Sequence, residues 1–256
     1  MGRTIVIANQ KGGVGKTTTA VNLAACIAEL GKKTLLIDTD PQGNATSGMG
    51  IDKRSVTASV YDVMINKVPA AEVIIPTSIA GLDLLPSNID LAGAEIEMVP
   101  MISRETVLAR SIRPILKNYD FIILDAPPSL GLLTLNALAV ADQVLIPIQC
   151  EFYALEGLSQ LVKTITLVKR HINPVLEVEG VVLTMYDSRT NLSIQVVQEV
   201  KKFFSGKVHS SVIPRNVRLG EAPSHGMPIT QYDPKCAGAE AYIDLAKEIV
   251  DPEAFL

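Results

Sequence analysis

Short apolar runs that alternate with helix-period segments constrain the fold of this chain more than any other feature of its sequence. The apolar runs, each bounded by turn residues, lie at residues 4–8, 34–38, 82–85, 121–125, 143–147, 178–185 and 211–213. Between them, helix-like periodicity covers residues 16–30, 103–116, 130–140, 155–169, 192–204 and 238–250. This alternation favours repeated βαβ units around a buried, mostly parallel sheet. We predict a single α/β domain over residues 1–256 with a doubly wound sheet, and an excursion of short helices outside that sheet at residues 43–79.

Composition narrows the class of protein. Hydrophobic residues make up 48% and charged residues 20% of the 256 positions, which excludes a disordered chain. The formal net charge of −4 argues against a protein that coats nucleic acid by bulk charge. Three cysteines without a CxxC pair, and no basic-then-apolar leader, favour the cytoplasm. Because no run of 18 apolar residues occurs, we expect no membrane span.

A glycine-rich tract joins the first predicted strand to the first predicted helix. Glycines allow successive backbone N–H groups to turn toward one anion, and a helix N-terminus adds partial positive charge. Lys16 supplies a cation for the terminal phosphates of ATP, and the hydroxyl of Thr17 can bind Mg²⁺. We therefore predict a P-loop, and its residues are Lys11-Gly12-Gly13-Val14-Gly15-Lys16-Thr17-Thr18.

The start of this loop departs from the common P-loop pattern. Gln10 stands where that pattern has its first glycine, and a second lysine, Lys11, follows it. The simplest alternative for Lys11 is a solvated loop cation. The departure therefore needs an explanation that the general motif does not supply.

Aspartates end two of the predicted strands. Asp38 and Asp40 close the second strand, and Asp125 closes the strand at residues 121–125. Carboxyl ends of parallel strands face one crevice, so we expect these side chains beside the P-loop. Asp125 after an apolar strand fits a Walker B aspartate that holds Mg²⁺. Side-chain alternation puts Asp38 and Asp40 on one side, so either could reach the γ-phosphate.

The chain resembles the ParA/Soj family, within the ParA/MinD superfamily of P-loop NTPases that carry a deviant Walker A motif. Besides the nucleotide motifs, the resemblance rests on residues 44–48, 126–131, 153–157 and 212–219. It implies an ATPase that partitions chromosomal DNA in the cytoplasm, associated with the nucleoid. An ATP-bound homodimer would bind double-stranded DNA non-specifically, and a ParB-type centromere-binding protein would stimulate hydrolysis and release the dimer.

The same resemblance implies roles for individual residues. Lys11 would reach into the nucleotide site of a partner subunit, so that ATP is sandwiched in a dimer. Asp40 would orient or activate the attacking water, and Asp38 would support the metal shell. Pro214 and Asn216 would lie near the purine base.

A cation-rich segment gives an independent indication of DNA binding. Residues 186–218 carry six cations and two anions, a local excess of four positive charges in an acidic chain. Such a segment suits contacts to the phosphate backbone without base readout. Arg189 and Arg218 match DNA-binding positions of the family. Lys201 and Lys202 fit either a DNA footprint or an ordinary solvated helix face.

Three rival functions use the same fold. A MinD-like ATPase that cycles on the membrane is the main alternative, but it needs a basic amphipathic tail, whereas residues 251–256 are acidic and contain a proline. An iron protein of the nitrogenase type needs two cluster cysteines per subunit, and Cys26, Cys150 and Cys236 do not match that arrangement. A plasmid-type ParA would carry an N-terminal helix-turn-helix domain, and we expect none because the P-loop opens at residue 11.

The cysteines are predicted to be core thiols. The three histidines are predicted to be surface or loop residues.

Overall fold

The computed structural model describes residues 2–151 and 158–255 of the chain and contains one eight-stranded sheet. The order of the strands across the sheet is β3-β4-β2-β5-β1-β6-β7-β8. All neighbouring strands run parallel except β3, which is antiparallel to β4. The strands are β1 (Arg3–Ile7), β2 (Thr34–Asp38), β3 (Ile75–Pro76), β4 (Leu82–Leu85), β5 (Phe121–Asp125), β6 (Gln143–Gln149), β7 (Glu177–Tyr186) and β8 (Val208–Pro214).

Helices connect the strands on both faces of the sheet. A π-helical turn at Asp62–Asn66 and short 3₁₀ turns at Arg104–Thr106, Leu116–Asn118, Ala222–His225 and Pro252–Phe255 supplement them. No helix in the described part of the chain has the length and apolarity that a membrane span requires. The α-helices are α1 (Lys16–Glu29), α2 (Asn44–Gly48), α3 (Ala70–Val73), α4 (Leu91–Glu97), α5 (Val107–Ile112), α6 (Leu132–Val140), α7 (Leu158–His171), α8 (Asn191–Phe203), α9 (Val217–Glu221), α10 (Ile229–Tyr232) and α11 (Ala237–Val250).

Side-chain alternation along the strands divides the core into two layers. Ile122 and Leu124 of β5 pack with α5, α6, α7 and α8 on one face, and Ile123 packs with α1 and α11 on the other. All three side chains are fully buried. Because helices cover both faces, the central strands are apolar at nearly every position, and their polar residues appear where the strands end. The carboxyl ends of β1, β2 and β5 thus meet at one edge of the sheet.

The predicted doubly wound α/β fold is confirmed, and most predicted elements lie within a few residues of their predicted bounds. The strands at 34–38, 82–85 and 121–125 match β2, β4 and β5. The helix predicted at 103–116 is shorter, because two 3₁₀ turns flank α5. The start of the helix predicted at 155–169 lies outside the described residues, and α7 covers the rest.

The segment at 43–79 corrects the prediction in one respect. It contains the expected short helices, but Ile75–Pro76 returns to the sheet as the antiparallel edge strand β3. Two residues are too few to show a period, so no sequence pattern marks this strand. Cys26 and Cys150 are buried as predicted, whereas Cys236 is only partly buried.

His209 also differs from the prediction, because its side chain is buried in β8 and only 8% exposed. Its Nε2 lies 2.6 Å from Oε2 of Glu179 in β7, and its Nδ1 lies 3.0 Å from Oε1 of Glu248 in α11. Burial alone lowers the pKa of His209, but the hydrogen bonds and charges of Glu179 and Glu248 outweigh it and raise that pKa. Arg3 completes the cluster, with Nη2 3.9 Å from Oε1 of Glu179. The acids come from distant segments, which is why sequence reading missed them.

This cluster predicts a pH-dependent contribution to stability. Since the pKa of His209 is higher in the folded chain than in the unfolded chain, its stabilisation is complete below about pH 6.5 and is lost as the pH rises through the folded pKa. We expect the free energy of unfolding of the wild type to fall more between pH 6.5 and pH 9 than that of His209→Gln. Urea denaturation across this range measures both, with His171→Gln at the exposed end of α7 as the control. Parallel pH profiles for wild type and His209→Gln would contradict the prediction.

Candidate functional site

The glycine-rich tract forms a turn between β1 and α1. Gly13 and Gly15 have φ of 75° and 88°, a left-handed backbone that other residues adopt only with strain. Gly15 directly precedes Lys16, the first residue of α1. The backbone N–H groups at the start of α1 have no earlier helical turn to bond to, so this turn presents donors and a positive helix end to an anion. The predicted strand, loop and helix therefore lie in the arrangement that phosphate binding requires.

Hydrogen bonds to the neighbouring strands β6 and β7 hold the loop in place. Asn9 donates from Nδ2 to the carbonyl of Pro147 at 2.8 Å and accepts from the backbone N–H of Lys11 at 3.1 Å. Thr184 at the end of β7 donates from Oγ1 to the carbonyl of Val14 at 2.9 Å. The loop shape is thus fixed by β6 and β7 as well as by its own glycines.

Lys16 occupies a buried position below the loop, where the residue is 7% exposed. Its Nζ donates to the carbonyl of Lys11 at 2.9 Å. Burial lowers the pKa of Lys16, although the charges of Asp125 and Asp40 oppose that change. An ammonium held by a carbonyl of the loop itself is already positioned for an anionic ligand there.

Asp125 at the end of β5 is the least compensated polar group in the site. Both carboxylate oxygens are buried, and no hydrogen bond from the described residues reaches either. Burial, followed by the charge of Asp38, raises the pKa of Asp125, although the nearby hydroxyl of Thr17 partly favours its charged form. Two buried acceptors without donors fit Mg²⁺ or its bound water, because Mg²⁺ sites at nucleotides use one or two carboxylates together with phosphate oxygens. The described residues contain no cluster of three or more His, Cys, Asp or Glu that could hold a metal without phosphate.

Asp38 lies beside Asp125, since the two residues are register partners on β2 and β5. Its oxygens, unlike those of Asp125, have donors: Oδ2 accepts from the backbone N–H and the hydroxyl of Thr46, both at 2.8 Å, and Oδ1 accepts from the backbone N–H of Asp40 at 3.1 Å. Burial raises the pKa of Asp38 to about 6, and these hydrogen bonds limit the rise. The two predicted metal-site aspartates therefore differ in what their oxygens are free to bind.

Asp40 lies just beyond β2 and is 8% exposed. Its Oδ1 accepts from the backbone N–H of Gln42 at 2.9 Å, and its carbonyl accepts from the hydroxyl of Ser87 at 2.8 Å. Sequence reading did not single out Ser87 or Thr46. The available signal was the position of Ser87 directly after β4 and Pro86, at the same edge of the sheet.

Lys11 is paired within its own chain, because its Nζ forms an ion pair with Glu151 just after β6. The side chain of Lys11 is 30% exposed and that of Glu151 is 37% exposed. Contact with a nucleotide on a second subunit would require Lys11 to leave Glu151. The predicted motif at residues 153–157, which follows Glu151, lies outside the described residues.

A cavity of about 410 Å³ lies beside the P-loop and contains both residues predicted near the base. Pro214 ends β8, and Asn216 begins the next turn as the N-cap of α9, where its side-chain oxygen accepts from the backbone N–H of Arg218 at 2.8 Å. The lining of the cavity includes Gly15, Thr18, Thr184, Met185, Pro214 and Asn216. The cavity is continuous with the loop through Gly15 and Thr18, as a base site must be.

The four cations predicted to bind DNA fall into two groups. Arg189 follows β7 and Arg218 lies in α9 after β8, at the edge of the sheet that carries the P-loop. Lys201 and Lys202 lie in the last turn of α8, which runs back toward the opposite edge. Because a helix rises about 1.5 Å per residue, roughly 16 Å separates them from the start of α8.

Acidic neighbours neutralise several of these cations. Arg189 pairs with Asp187 at 2.7 Å, and Arg218 pairs with Glu221 at 2.8 Å and with Asp233 at 3.4 Å. Lys202 pairs with Glu199 at 2.6 Å. To bind DNA, these side chains would have to exchange their carboxylate partners for phosphate or contact both at once. Counting charges in the sequence could not show that the cations are already paired.

Arg215 is one of the six cations of residues 186–218, and no motif in the sequence marks it as a site residue. It is exposed, it lines the base cavity, and its backbone N–H donates to the carbonyl of Tyr186 at 3.0 Å. Its position between Arg189 and Arg218 makes three arginines at this edge.

Asp125 supports a prediction that links stability to magnesium. A buried carboxylate that lacks hydrogen-bond donors among the described residues destabilises the nucleotide-free protein. We therefore expect Asp125→Asn to raise the melting temperature of the nucleotide-free protein by a few degrees. The same variant should lose the additional stabilisation that Mg²⁺ gives to the ATP-bound protein. Calorimetric melting with ATP, with and without Mg²⁺, measures both effects. Asp120→Asn, at the opposite end of β5, is the control and should keep the magnesium effect; retention of that effect in Asp125→Asn would contradict the assignment.

Comparison with known proteins places this site in a family. A family model described as an AAA domain matches residues 2–178. The sporulation initiation inhibitor protein Soj of Bacillus subtilis is 61% identical over 249 residues, which cover 97% of this chain and 98% of that protein. The chromosome-partitioning ATPase Soj of Treponema pallidum is 51% identical, with 98% of each chain covered.

Solved structures agree with the fold and with the predicted cofactors. Cobyrinic acid a,c-diamide synthase from Mycobacterium smegmatis with bound ADP and magnesium superposes with a TM-score of 0.88 at 37% identity, covering 99% of this chain and 96% of that chain. The septum site-determining protein MinD of Pyrococcus horikoshii with Mg-ADP superposes with a TM-score of 0.82 at 27% identity, covering 99% and 98%. Both structures hold magnesium and ADP, which agrees with the predicted cofactors, and the higher identity to Soj favours that group over MinD. The chain belongs to the ParA/Soj family of P-loop ATPases.

Proposed function

We propose that this chain is an ATP-dependent chromosome-partitioning ATPase that hydrolyses ATP to ADP and phosphate. The observation that carries the proposal is that the two oxygens of buried Asp125 accept no hydrogen bond from the described residues, next to a left-handed glycine loop in a chain 61% identical to Soj. This reading is preferred to MinD-like membrane cycling because the Soj and ParA relatives match nearly the whole chain.

In the proposed site the phosphates of ATP bind the N–H groups of the loop from Gly12 to Thr18, and the ammonium of Lys16 contacts the terminal phosphates. Burial of Lys16 supports this role, because a charge is stronger where water is excluded. The hydroxyl of Thr17 and the carboxylate of Asp125 would hold Mg²⁺, which supplies positive charge to the phosphate oxygens. Pro214 and Asn216 would contact the base.

We assign the attacking water to Asp40. It is the carboxylate beyond the end of β2, it is slightly exposed, and the charge it places on Lys16 indicates that it lies near the phosphate site. A carboxylate in that position can orient a water molecule and accept its proton. Asp38 would support this arrangement by accepting a hydrogen bond from the backbone N–H of Asp40.

We propose that Lys11 acts in trans. In an ATP-bound homodimer its ammonium would exchange Glu151 for phosphate oxygens in the partner's site, in the manner of an arginine finger. Exposure of roughly a third of both side chains supports such an exchange, since neither charge is locked in the core. Hydrolysis would then depend on dimerisation.

DNA would bind the edge that carries Arg189, Arg215 and Arg218. This edge adjoins the nucleotide cavity, so dimer formation around ATP would bring two such groups into one surface. Two weak footprints in one particle raise the effective concentration of each, which gives ATP-dependent binding to DNA. A ParB-type partner bound at centromere-like sites would then stimulate hydrolysis, and the protein would be associated with the nucleoid.

The proposal predicts a turnover that depends on two partners. We expect the ATPase rate to rise when duplex DNA and a cognate ParB-type peptide are added together, and Lys11→Ala to lower the stimulated rate by about a hundredfold or more. Size measurement with a non-hydrolysable ATP analogue should give a dimer for the wild type and a monomer for Lys11→Ala. Lys235→Ala is a control for loss of one exposed lysine. A normal dimer in Lys11→Ala would refute the role in trans.

Charge-reversal variants test where DNA binds: three lie at the edge of the sheet formed by the carboxyl ends of the strands, and one lies toward the opposite edge. Arg189→Glu, Arg215→Glu and Arg218→Glu should each weaken duplex binding by about tenfold or more and reduce its dependence on salt, because released counterions scale with the phosphates contacted. Lys201→Glu at the far end of α8 is the matched reversal and should change binding much less. A salt titration with ATP analogue measures all four. A larger loss in Lys201→Glu than in the arginine variants would place the footprint on α8.

A further inference from the structure

We infer that Thr46 and Ser87 are positioning residues that link Asp38 to the backbone of Asp40. This inference deepens the proposed hydrolytic function and rests on it. Both residues are fully buried. They come from separate segments, since Thr46 lies in α2 and Ser87 lies just after β4.

Thr46 makes the first half of the link. Its backbone N–H and its hydroxyl both donate to Oδ2 of Asp38, each at 2.8 Å. The same hydroxyl accepts from the backbone N–H of Ser87 at 2.9 Å. The hydroxyl proton is therefore directed at Asp38, because its oxygen already accepts from Ser87.

Ser87 makes the second half. Its hydroxyl donates to the carbonyl of Asp40 at 2.8 Å, and the backbone N–H of Asp40 donates to Oδ1 of Asp38 at 3.1 Å. The contacts form a closed ring that runs from Asp38 through Thr46 and Ser87 to Asp40 and back to Asp38. Both peptide groups of Asp40 are thus held, which limits the directions in which its carboxylate can point.

This ring also separates the roles of the two buried aspartates. Oδ2 of Asp38 accepts two hydrogen bonds and Oδ1 accepts one, whereas the oxygens of Asp125 accept none from the described residues. A carboxylate oxygen has two lone pairs, so Oδ2 of Asp38 has no capacity left for a metal or its water and Oδ1 keeps one lone pair, whereas both oxygens of Asp125 keep two toward the described residues. We assign Asp38 to anchoring the segment between β2 and α2, and Asp125 to the metal.

Through the ring, the end of β4 holds the segment after β2 that contains Asp40. β4 is the neighbour of β2, and Ser87 follows β4 by two residues, so the end of one strand fixes the segment that leaves the next. Buried hydrogen-bonded networks of this kind hold a single geometry because each member would be left unsatisfied by movement. Catalysis is sensitive to such positioning even when substrate binding is not.

The test compares variants that remove one hydroxyl with variants that keep it. Ser87→Ala removes the donor to the carbonyl of Asp40, and Thr46→Val removes the hydroxyl while preserving side-chain shape. Thr46→Ser keeps the hydroxyl. Ser59→Ala is the matched control, because Ser59 is equally buried but its hydroxyl faces Asp62 and Asn88 rather than the ring.

We expect Ser87→Ala to lower kcat about three- to tenfold and Thr46→Val about tenfold, with KM for ATP and the affinity for a non-hydrolysable analogue within about twofold of wild type. Thr46→Ser should restore kcat to within about twofold, and Ser59→Ala should leave it unchanged. Melting curves and analogue titrations on the same samples show how much of each protein is folded and binds nucleotide. Rescue by Thr46→Ser with unchanged KM is a result that a merely structural role would not give.

Three results would overturn the inference. The first is wild-type kcat in both Ser87→Ala and Thr46→Val, and the second is a loss of rate that only follows loss of folded protein or of analogue binding. The third is an equal loss in Ser59→Ala. Asp40→Ala, measured alongside, should be slower by about a hundredfold with ATP still bound. If Asp40→Ala has a strongly reduced kcat but Ser87→Ala has the wild-type kcat, this inference alone is overturned. If Asp40→Ala has the wild-type kcat, both the proposed role of Asp40 and the inference are overturned.

Discussion

Two buried aspartates side by side at the ends of β2 and β5 are the constraint on which this structure depends. Asp38 and Asp125 are register partners and are both completely buried, and the charge of Asp38 adds to burial in raising the pKa of Asp125. The fold compensates Asp38 with donors from Thr46 and Asp40 and leaves the oxygens of Asp125 without any from the described residues. An unsatisfied carboxylate in such a place is costly, and it is retained where a ligand will complete it.

The parallel sheet explains why these groups and the P-loop converge. β1 lies between β5 and β6, so the loop that follows β1 leaves the sheet next to Asp125, and Asn9 ties it to β6 while Thr184 ties it to β7. Lys16 is buried at the start of α1, where the charges of Asp125 and Asp40 oppose the lowering of its pKa by burial. The same edge carries the cavity lined by Pro214 and Asn216 and three arginines, so the proposed nucleotide and DNA sites adjoin each other.

Much of this was predictable because it depends on short-range pattern. The apolar strands at residues 34–38 and 121–125 are bounded by polar turns, and the glycine tract has the spacing that a phosphate loop needs. In a parallel sheet, strand direction alone places Asp38, Asp40 and Asp125 at the same edge. The fold class, the P-loop and the family therefore followed from sequence, and the comparisons confirm the fold and the family.

What the tertiary structure decided is which side chains face each other across distant segments. The sequence could not show that Asp38 binds Thr46 while Asp125 has no donor among the described residues, or that Ser87 contacts the segment leaving β2. It placed His209 at the surface, whereas two glutamates from other elements enclose it. Residues close in sequence were likewise separated, with Arg189 and Lys201 toward opposite edges. The physical reason is that periodicity records which face of an element is buried, while hydrogen bonds and ion pairs depend on how those faces meet.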